Sequence, residues 1–375
     1  MANPYIWGDL ARSINDNTTI DAAIGEAIEA HLDDPDAHLD VTGSLQSHRA
    51  AEIIDHVAES VVNDKIKANT RAYVAIVDPA SEHDFASIEA ACNYAKTVGG
   101  GNVLIMPGNY YINGVLELEP TCNLYGLDPD TTFVHTDKDN GNYIIAQFDS
   151  SYQKTNLNIM NLTFITGSAG GFYGYGISAQ DYGNIYFESC VFKGSGGYVI
   201  DAAQNMYFNR CIFYLTTTAA IANTWAITVT DCTLYTETTS GTLAFIGLGP
   251  ADETNYLWVQ RVNTVVPFSR SVNFLDGGPF ANVFMSECRI VGWTNDLLAI
   301  NGGNIIGNRI YFNSTGYLNL EGPSIIITGN RFDNGSGNRV RLTSGCEDSV
   351  VVANAIGTPV TNNGYNNLVA TNLTT

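Results

Sequence analysis

Three short stretches decide the fold: "NIYFESCVF" at 184–192, "NMYFNRCIF" at 205–213 and "AITVTDCTL" at 226–234. Each stretch alternates apolar or aromatic residues with other residues, continues through a polar pair, and places a Cys in the same slot, 21 residues after the previous one. Alternation with a period of two is the pattern of a β-strand with one buried face. A fixed step of this length predicts a repeat architecture in which every copy forms one coil of a solenoid.

The same pattern continues upstream and downstream at steps of 20 to 30 residues. Variable steps around a constant pattern indicate a constant strand with loops of different length, stacked about 4.8 Å from coil to coil. We predict that the slot points inward, as a small apolar side chain in early coils and as a hydrogen-bonded amide in later coils. The slot residues are Leu162, Cys190, Cys211, Cys232, Val262, Cys288, Asn308, Asn330 and Asn354.

The composition restricts the classes of partner that the chain can bind. Its 375 residues carry a net charge of −21 with a pI near 4.4, which argues against nucleic acid and anionic membranes as partners. The seven cysteines contain no CxxC pair, and the four that occupy slots, Cys190, Cys211, Cys232 and Cys288, are interpreted as buried free thiols. Neither a signal peptide nor an apolar stretch of membrane-spanning length is readable, so we expect synthesis in a cytoplasm and no membrane insertion.

The pattern divides the chain into four regions. Residues 1–71 are acidic and histidine-rich with helical spacing, and their narrow apolar stripe predicts packing against other copies of the chain. Residues 72–101 are a transition with a helix that caps the solenoid, and 102–360 are its coils. Residues 361–375 are predicted to form a tail or a terminal edge.

The capping helix is predicted within "HDFASIEAACNYAKTVGGG" at 83–101. Asp84 is the expected N-cap, and three consecutive glycines are expected to end the helix. Its buried face is predicted to consist of Phe85, Ile88, Cys92 and Ala95.

The stretch from 84 to 137 resembles the opening of pectate-lyase-like right-handed parallel β-helices. The similarity lies in the helix, the Gly-rich turn, the strand and turn "NVLIMPGNYY", and the later "LYG" strand. The resemblance implies an all-β, right-handed, single-stranded parallel β-helix with a short α-helical N-terminal region. It does not identify a function, because this fold serves lyases, hydrolases and binding proteins alike.

The N-terminal region is similar to the leading segments of bacteriophage tail-fibre and tailspike-like virion proteins. The residues concerned are "NPYIWGDLARS", "AHLDDPDAHLD" and "SLQSHRAAEIIDHVAESVVNDKI". This resemblance implies a homotrimeric virion appendage that is anchored to other virion proteins by residues 1–71. It also implies a host cell-surface glycan as the partner of the β-helix, and no cofactor is expected.

An alternative is a polysaccharide depolymerase. Asp276 in "NFLDGG" and Asp296 in "NDLLAI" loosely resemble the aspartates of polygalacturonase-type hydrolases on adjacent coils, with Arg339 or Arg341 below them. Such carboxylates could act as acid and base on a glycosidic bond. Asn295 stands where that family has an Asp, and no Gly-His-Gly follows, so we favour a structural and binding protein without catalysis.

Aromatic residues supply the glycan-binding candidates, because flat rings stack on sugars. These candidates, from the Gly-rich "GGFYGYG" at 170–176 and from the strands, are Phe172, Tyr173, Tyr175, Trp225, Trp258 and Trp293. His31 and His38 are the candidate metal ligands on a trimer axis, although they lack the tight spacing of a metal motif.

Overall fold

The computed structural model describes most of the chain from residue 73 onward. The described ranges are 73–80, 83–118, 121–137, 143–148, 156–166, 172–176, 183–194, 200–202, 205–215, 219–222, 226–236, 242–247, 256–265, 271–276, 282–293, 296–299, 302–312, 318–333, 340–356, 359–370 and 372. The predicted N-terminal helices, with His31 and His38, lie outside these residues.

The strands form three faces, and the paired strands within each face run parallel. Face 1 is a sheet of 13 strands: β1 (Ala75–Val77), β2 (Gly101–Ile105), β5 (Cys122–Gly126), β8 (Asn156–Met160), β11 (Asn184–Glu188), β14 (Asn205–Asn209), β17 (Ala226–Thr230), β20 (Tyr256–Gln260), β23 (Val283–Ser286), β26 (Gly303–Ile306), β29 (Ile325–Thr328), β32 (Val350–Val352) and β35 (Leu368–Ala370). Face 2 consists of β3 (Gly108–Tyr111), β6 (Thr132–His135), β9 (Thr163–Thr166), β12 (Val191–Gly194), β15 (Ile212–Leu215), β18 (Thr233–Thr236), β21 (Asn263–Val265), β24 (Arg289–Trp293), β27 (Arg309–Phe312), β30 (Arg331–Asp333) and β33 (Ala355–Ile356). Face 3 consists of β4 (Val115–Leu118), β7 (Tyr143–Phe148), β10 (Phe172–Gly176), β13 (Ile200–Ala202), β16 (Ala219–Ala222), β19 (Thr242–Gly247), β22 (Ser271–Asp276), β25 (Asp296–Ala299), β28 (Leu318–Glu321), β31 (Val340–Leu342) and β34 (Thr361–Asn362).

Strands β2 to β34 follow one another in groups of three, one strand for each face. Strands pair in parallel with their equivalents in neighbouring coils, as β11 does with β8 and β14, and face 3 is interrupted once, between β22 and β25. Faces 2 and 3 join at the long strand β24, which pairs with β21 at its start and with β22 at its end. The predicted single-stranded parallel β-helix is therefore confirmed.

The corner between faces 1 and 2 repeats with the same backbone geometry in nine coils. One residue, immediately before the slot, has φ between +52° and +67°. At seven of these corners, from Asn161 to Gly307, the backbone N–H of the corner residue donates to a carbonyl of the next coil, as Arg210 N does to Thr230 O at 3.0 Å, so the turn leaves no gap in the hydrogen-bond ladder there. The corner residues are Asn161, Ser189, Arg210, Asp231, Arg261, Glu287, Gly307, Gly329 and Ala353.

The slot residues are all buried, as predicted. In the middle coils the Cys211 thiol donates to the carbonyls of Phe187 at 3.5 Å and Asn209 at 3.4 Å. All seven cysteines of the chain are free and buried, which confirms the prediction of free thiols. Burial raises the pKa of the Cys288 thiol to about 12, so this group stays protonated and unreactive at neutral pH.

The later slots form a continuous asparagine ladder. The Oδ1 atom of Asn330 accepts from both the backbone N and the Nδ2 of Asn308, each at 2.9 Å. Asn354 accepts from Asn330 in the same way, at 2.9 and 3.0 Å. The ladder extends one coil beyond the predicted slots, because Asn372 Oδ1 accepts from Asn354 N and Nδ2, both at 3.1 Å. Each amide therefore satisfies buried backbone groups as well as its neighbour.

Stacked aromatic rings fill the interior of the middle coils. Phe187 and Phe208 from face 1 lie nearly parallel at 5.2 Å, and Phe192 and Phe213 from face 2 stack at 5.0 Å. The two stacks meet edge to face between Phe208 and Phe213 at 5.5 Å. Equivalent residues of successive coils thus pack on each other, which is the packing that the repeat predicted.

Helix α1 (Ile88–Thr97) precedes the first complete coil, and the predicted N-cap is wrong. Ser87 caps the helix, since its hydroxyl accepts from Ala90 N at 3.2 Å. The carboxylate of Asp84 instead accepts from the backbone N of Ile76 in β1 at 3.1 Å, where it pairs a donor of the first strand. The helix buries Ile88, Cys92 and Ala95 together with Ala91, whereas Phe85 is partly buried and bridges to β1.

The helix in the described part of the chain is not long and apolar enough to cross a membrane.

We predict that Asn330→Ala destabilises the protein by about 3 kcal/mol or more. The substitution leaves Asn308 N without its acceptor and removes the donor to Ile305 O, and each unsatisfied buried group costs about 1–3 kcal/mol. The shift of the urea unfolding midpoint measures this loss.

Asn304→Ala is the matched control, because Asn304 lies on the partly exposed outer side of the same coil as Asn308. Its change in stability should stay within about 0.5 kcal/mol. Equal midpoint shifts for both variants would contradict the role of the ladder.

Candidate functional site

A row of aromatic side chains lies along the outer side of face 1. The parallel register aligns Tyr186, Tyr207, Thr228, Trp258 and Phe284 on five successive coils, and we call these residues the aromatic row. Tyr186 and Tyr207 stack at 4.4 Å between ring centroids with an interplanar angle of 11°. Trp258 and Phe284 stack at 3.9 Å and 19°. The row therefore presents two ordered pairs of rings.

Exposure separates the aromatic row from the core rings. Along each strand of face 1, the positions that carry the row alternate with buried positions. The side chains of the row therefore point away from the core. Trp258 is 42% exposed, and Tyr256, two positions earlier on the same outer side of β20, is 63% exposed. Large exposed rings that are held flat by a neighbour offer an apolar surface on which a sugar ring can stack.

The earlier coils carry asparagines at the same outer position. Asn158, the Cα partner of Tyr186, donates its Nδ2 to Asn123 Oδ1 at 3.0 Å, and Asn123 donates its Nδ2 to Asn102 Oδ1 at 2.9 Å. A second outer row behaves likewise, with Asn205 donating to Asn184 at 3.1 Å. These amides form hydrogen bonds with one another along the axis. The line that carries Asn102, Asn123 and Asn158 changes at β11, where Tyr186 begins the aromatic row.

The corner between faces 1 and 2 carries charges that pair from coil to coil. Arg210 forms an ion pair with Glu188, and Arg261 donates to both carboxylate oxygens of Asp231 at 2.6 and 2.7 Å. The hydrogen bond from Arg261 lowers the pKa of Asp231 below its ordinary value. The two arginine side chains are about half exposed, so solvent screens these pairs and they serve the register of the corner more than the stability of the fold.

Of the predicted glycan-binding residues, Trp258 has a described side chain, and it faces outward in the aromatic row. Phe172, Tyr173 and Tyr175 belong to β10 on face 3, and their side chains lie outside the described part. Trp293 is the last residue of β24, with Cα partners Val272 and Phe312, and its side chain is likewise not described. Trp225 lies outside the described residues.

The catalytic candidates lie on face 3. Asp276 ends β22, with Gly247 as its Cα partner, and Asp296 begins β25 in the next coil, with Leu318 as its Cα partner. The side chains of both aspartates lie outside the described part, so a shared groove stays a prediction. Arg341 lies in β31, with Asn319 and Thr361 as Cα partners, whereas Arg339 is outside the described residues.

Metal-ligating groups do not cluster in the described ranges. No three His, Cys, Asp or Glu side chains there are arranged to hold a metal ion. His135 is engaged by Asp137 at 3.1 Å and by Asn109 at 3.0 Å, and its ring stacks on Tyr111 at 4.5 Å. These contacts give His135 a structural role.

Most of the aromatic row was not predicted from the sequence. The predicted glycan-binding residues were tryptophans and the rings of a Gly-rich segment, whereas the row also contains Tyr186, Tyr207 and Phe284. The signal was present in the repeat itself, because the first two occupy the same third position of "NIYFESCVF" and "NMYFNRCIF". Residues of the same type at equivalent outer positions of successive coils lie on one line along the axis.

Comparison with known proteins gives structural similarities at low identity. No protein-family model and no curated protein sequence matches the chain. The A-module of the mannuronan C-5 epimerase AlgE4 from Azotobacter vinelandii is 15% identical with a TM-score of 0.48, over 80% of this chain and 96% of that chain. PfbA, a surface adhesin of Streptococcus pneumoniae, is 14% identical with a TM-score of 0.44, over 81% of this chain and 91% of that chain. The Dettilon tailspike protein is 11% identical with a TM-score of 0.33, over 78% of this chain and 66% of that chain.

We predict that Trp258→Ala lowers the stability of the protein by about 1 kcal/mol, which is the contribution of one ring stack. Phe208→Ala should cost about 3–5 kcal/mol, because Phe208 is 1% exposed and its loss leaves a cavity. Thermal unfolding followed by circular dichroism measures both changes. A loss for Trp258→Ala as large as that for Phe208→Ala would show that the aromatic row is core and not surface.

Proposed function

We propose that this protein is a receptor-binding appendage of a bacteriophage particle, a fibre or spike, whose β-helix binds a glycan on the host cell surface. The observation that carries the proposal is the aromatic row: two stacked ring pairs, with exposed Trp258 and Tyr256, on the outer side of a regular sheet. The sequence resemblance of residues 1–71 to the leading segments of virion proteins supports the phage assignment.

The β-helix suits this role physically. Every coil is tied to the next by backbone hydrogen bonds and by stacked interior side chains, so the outer rows are held in one arrangement before a ligand arrives. A preorganised surface loses little conformational entropy on binding. A linear glycan can extend along the row, across several coils, and gain contacts from each ring that it reaches.

Binding to host polysaccharide tests the proposal. We expect Trp258→Ala to weaken the affinity for purified surface polysaccharide of the host about tenfold or more, since a central exposed Trp typically contributes at least 1–2 kcal/mol to an interface. Isothermal titration calorimetry measures the affinity, and whole-cell adsorption provides a second readout.

Tyr94→Ala is the matched control for this experiment. Tyr94 is an aromatic residue of nearly equal exposure, 43% against 42% for Trp258, and it also contacts a second ring, that of Phe85. It lies on α1, away from the aromatic row. An unchanged affinity for Trp258→Ala, or an equal loss for Tyr94→Ala, would contradict the proposed surface.

We further propose that the chain acts as a homotrimer. The narrow apolar stripe in residues 1–71 and the resemblance to phage appendages support this assembly. Light scattering should give about three times the chain mass of 40.5 kDa, and a monomer at micromolar concentration would refute the trimer.

Deletion of residues 1–71 should leave a folded β-helix that is no longer incorporated into particles.

A further inference from the structure

A row of arginines lies on the outer side of face 2. Arg289, Arg309 and Arg331 occupy the same position of β24, β27 and β30 in direct Cα register, and we call them the arginine row. Parallel pairing spaces them about 4.8 Å apart along the axis. Like charges directly opposite each other on neighbouring strands are destabilising, and this chain has just 17 basic residues against 38 acidic ones. The repulsion between the three guanidinium groups therefore has to be offset by other contacts, and those contacts order the row.

Asp333 holds two of these arginines from below. Its carboxylate accepts from the Nε atom of Arg309 at 3.1 Å and from the Nε atom of Arg331 at 2.7 Å. The Asp333 side chain is 15% exposed, whereas the arginine side chains are 49% and 56% exposed. Because Nε is used, the Nη groups at the ends of the guanidinium forks remain available, and no described residue accepts from them. The carboxylate thus orients the forks outward.

Tyr311 orders the other end of the row. The guanidinium carbon of Arg289 lies 5.5 Å from the centroid of the Tyr311 ring, and that of Arg309 lies 4.8 Å from it. Arg289 also donates from Nη1 to Asn263 Oδ1 at 3.4 Å. In the part of the chain that the structure describes, no carboxylate forms an ion pair with Arg289. The row thus combines three ordered guanidinium groups with one carboxylate.

We propose that the arginine row binds carboxylate groups of an acidic polysaccharide that lies along the axis of the β-helix. The planar fork of arginine matches a carboxylate in a bidentate arrangement, and ordered forks lose little entropy on binding. The repeating carboxylates of such a polymer would face the repeating guanidinium groups of the arginine row. The row lies on face 2 and not on the face of the aromatic row, so this inference goes beyond the proposed glycan-binding surface: it adds a second site and names the chemical class of its ligand.

Nucleic acid is the less suitable polyanion. Duplex DNA carries a charge every 1.7 Å or so along its axis, and binding it requires the neutralisation of several phosphates. The row offers three guanidinium groups, partly offset by Asp333, on a chain with a net charge of −21. A glycan with one carboxylate on each acidic sugar matches this sparse row better.

Binding of the full chain to polygalacturonate, alginate and hyaluronate tests the inference. The neutral controls are the same polymers after chemical reduction of their carboxyl groups. By biolayer interferometry at physiological salt, we expect at least one polyuronate to bind, and its reduced form to bind at least tenfold more weakly. Arg309→Gln and Arg331→Gln should each weaken that binding about tenfold.

Arg261→Gln is the matched control, because it removes the same charge from an arginine that is 45% exposed at the corner. Its affinity should change less than twofold. Asp333→Ala provides a second, opposed test of the geometry. If charge alone mattered, removing this carboxylate would strengthen binding, whereas loss of fork orientation should weaken it about fivefold. Asp333→Asn keeps an acceptor oxygen and should restore most of the affinity.

Each outcome decides a different point. Polymers that bind equally well after carboxyl reduction, with no effect of the arginine variants, would overturn the inference and leave glycan binding intact. Failure to bind any polyuronate, stronger binding by Asp333→Ala, or equal affinity for duplex DNA would also overturn it. Loss of host-polysaccharide binding in Trp258→Ala tests the proposed function separately, because that residue lies on another face.

Discussion

Each coil must turn from face 1 to face 2 without breaking the hydrogen-bond ladder, and a single left-handed residue makes that turn. At nine successive corners the residue before the slot has a positive φ, although seven of the nine are not glycine. The left-handed conformation costs a non-glycine residue about 1–2 kcal/mol. The corner is retained because its N–H still bonds to the next coil and because it directs the following side chain into the core.

The chemistry of the slot follows from this geometry. Its side chain lies beside backbone groups that turn the corner, so a residue there must be small, or must satisfy those groups. Cysteine is small and adds a weak thiol donor, whereas asparagine satisfies the backbone groups with its amide. Asn308 and Asn330 show how completely the amide is used, since each bonds to its neighbour and to carbonyls on the strands. The change from thiol to amide thus keeps one corner geometry.

The same register creates the outer rows. Since the coils do not slip relative to one another, residues at equivalent outer positions are stacked at the strand spacing. The Trp258 and Phe284 rings, and the arginine row with Asp333, are products of this register on two different faces. A β-helix therefore turns a repeat in sequence into a linear surface. Such a surface suits a linear polymer, which is the physical basis for the glycan proposal.

The sequence by itself determined the coil repeat, the inward slot and the asparagine ladder, because a period-two pattern with a fixed step allows one stacking arrangement. It did not reveal the helix cap, since Asp84 and Ser87 both lie where an N-cap is possible and only the packing against β1 draws Asp84 away. The outer rows were also left to the tertiary structure. Outward residues carry no burial signal, so which of them are aligned is decided by the lengths of the loops between coils. Trp258 was recognised as aromatic, but its stacking on Phe284 arises only when two coils 26 residues apart meet in register.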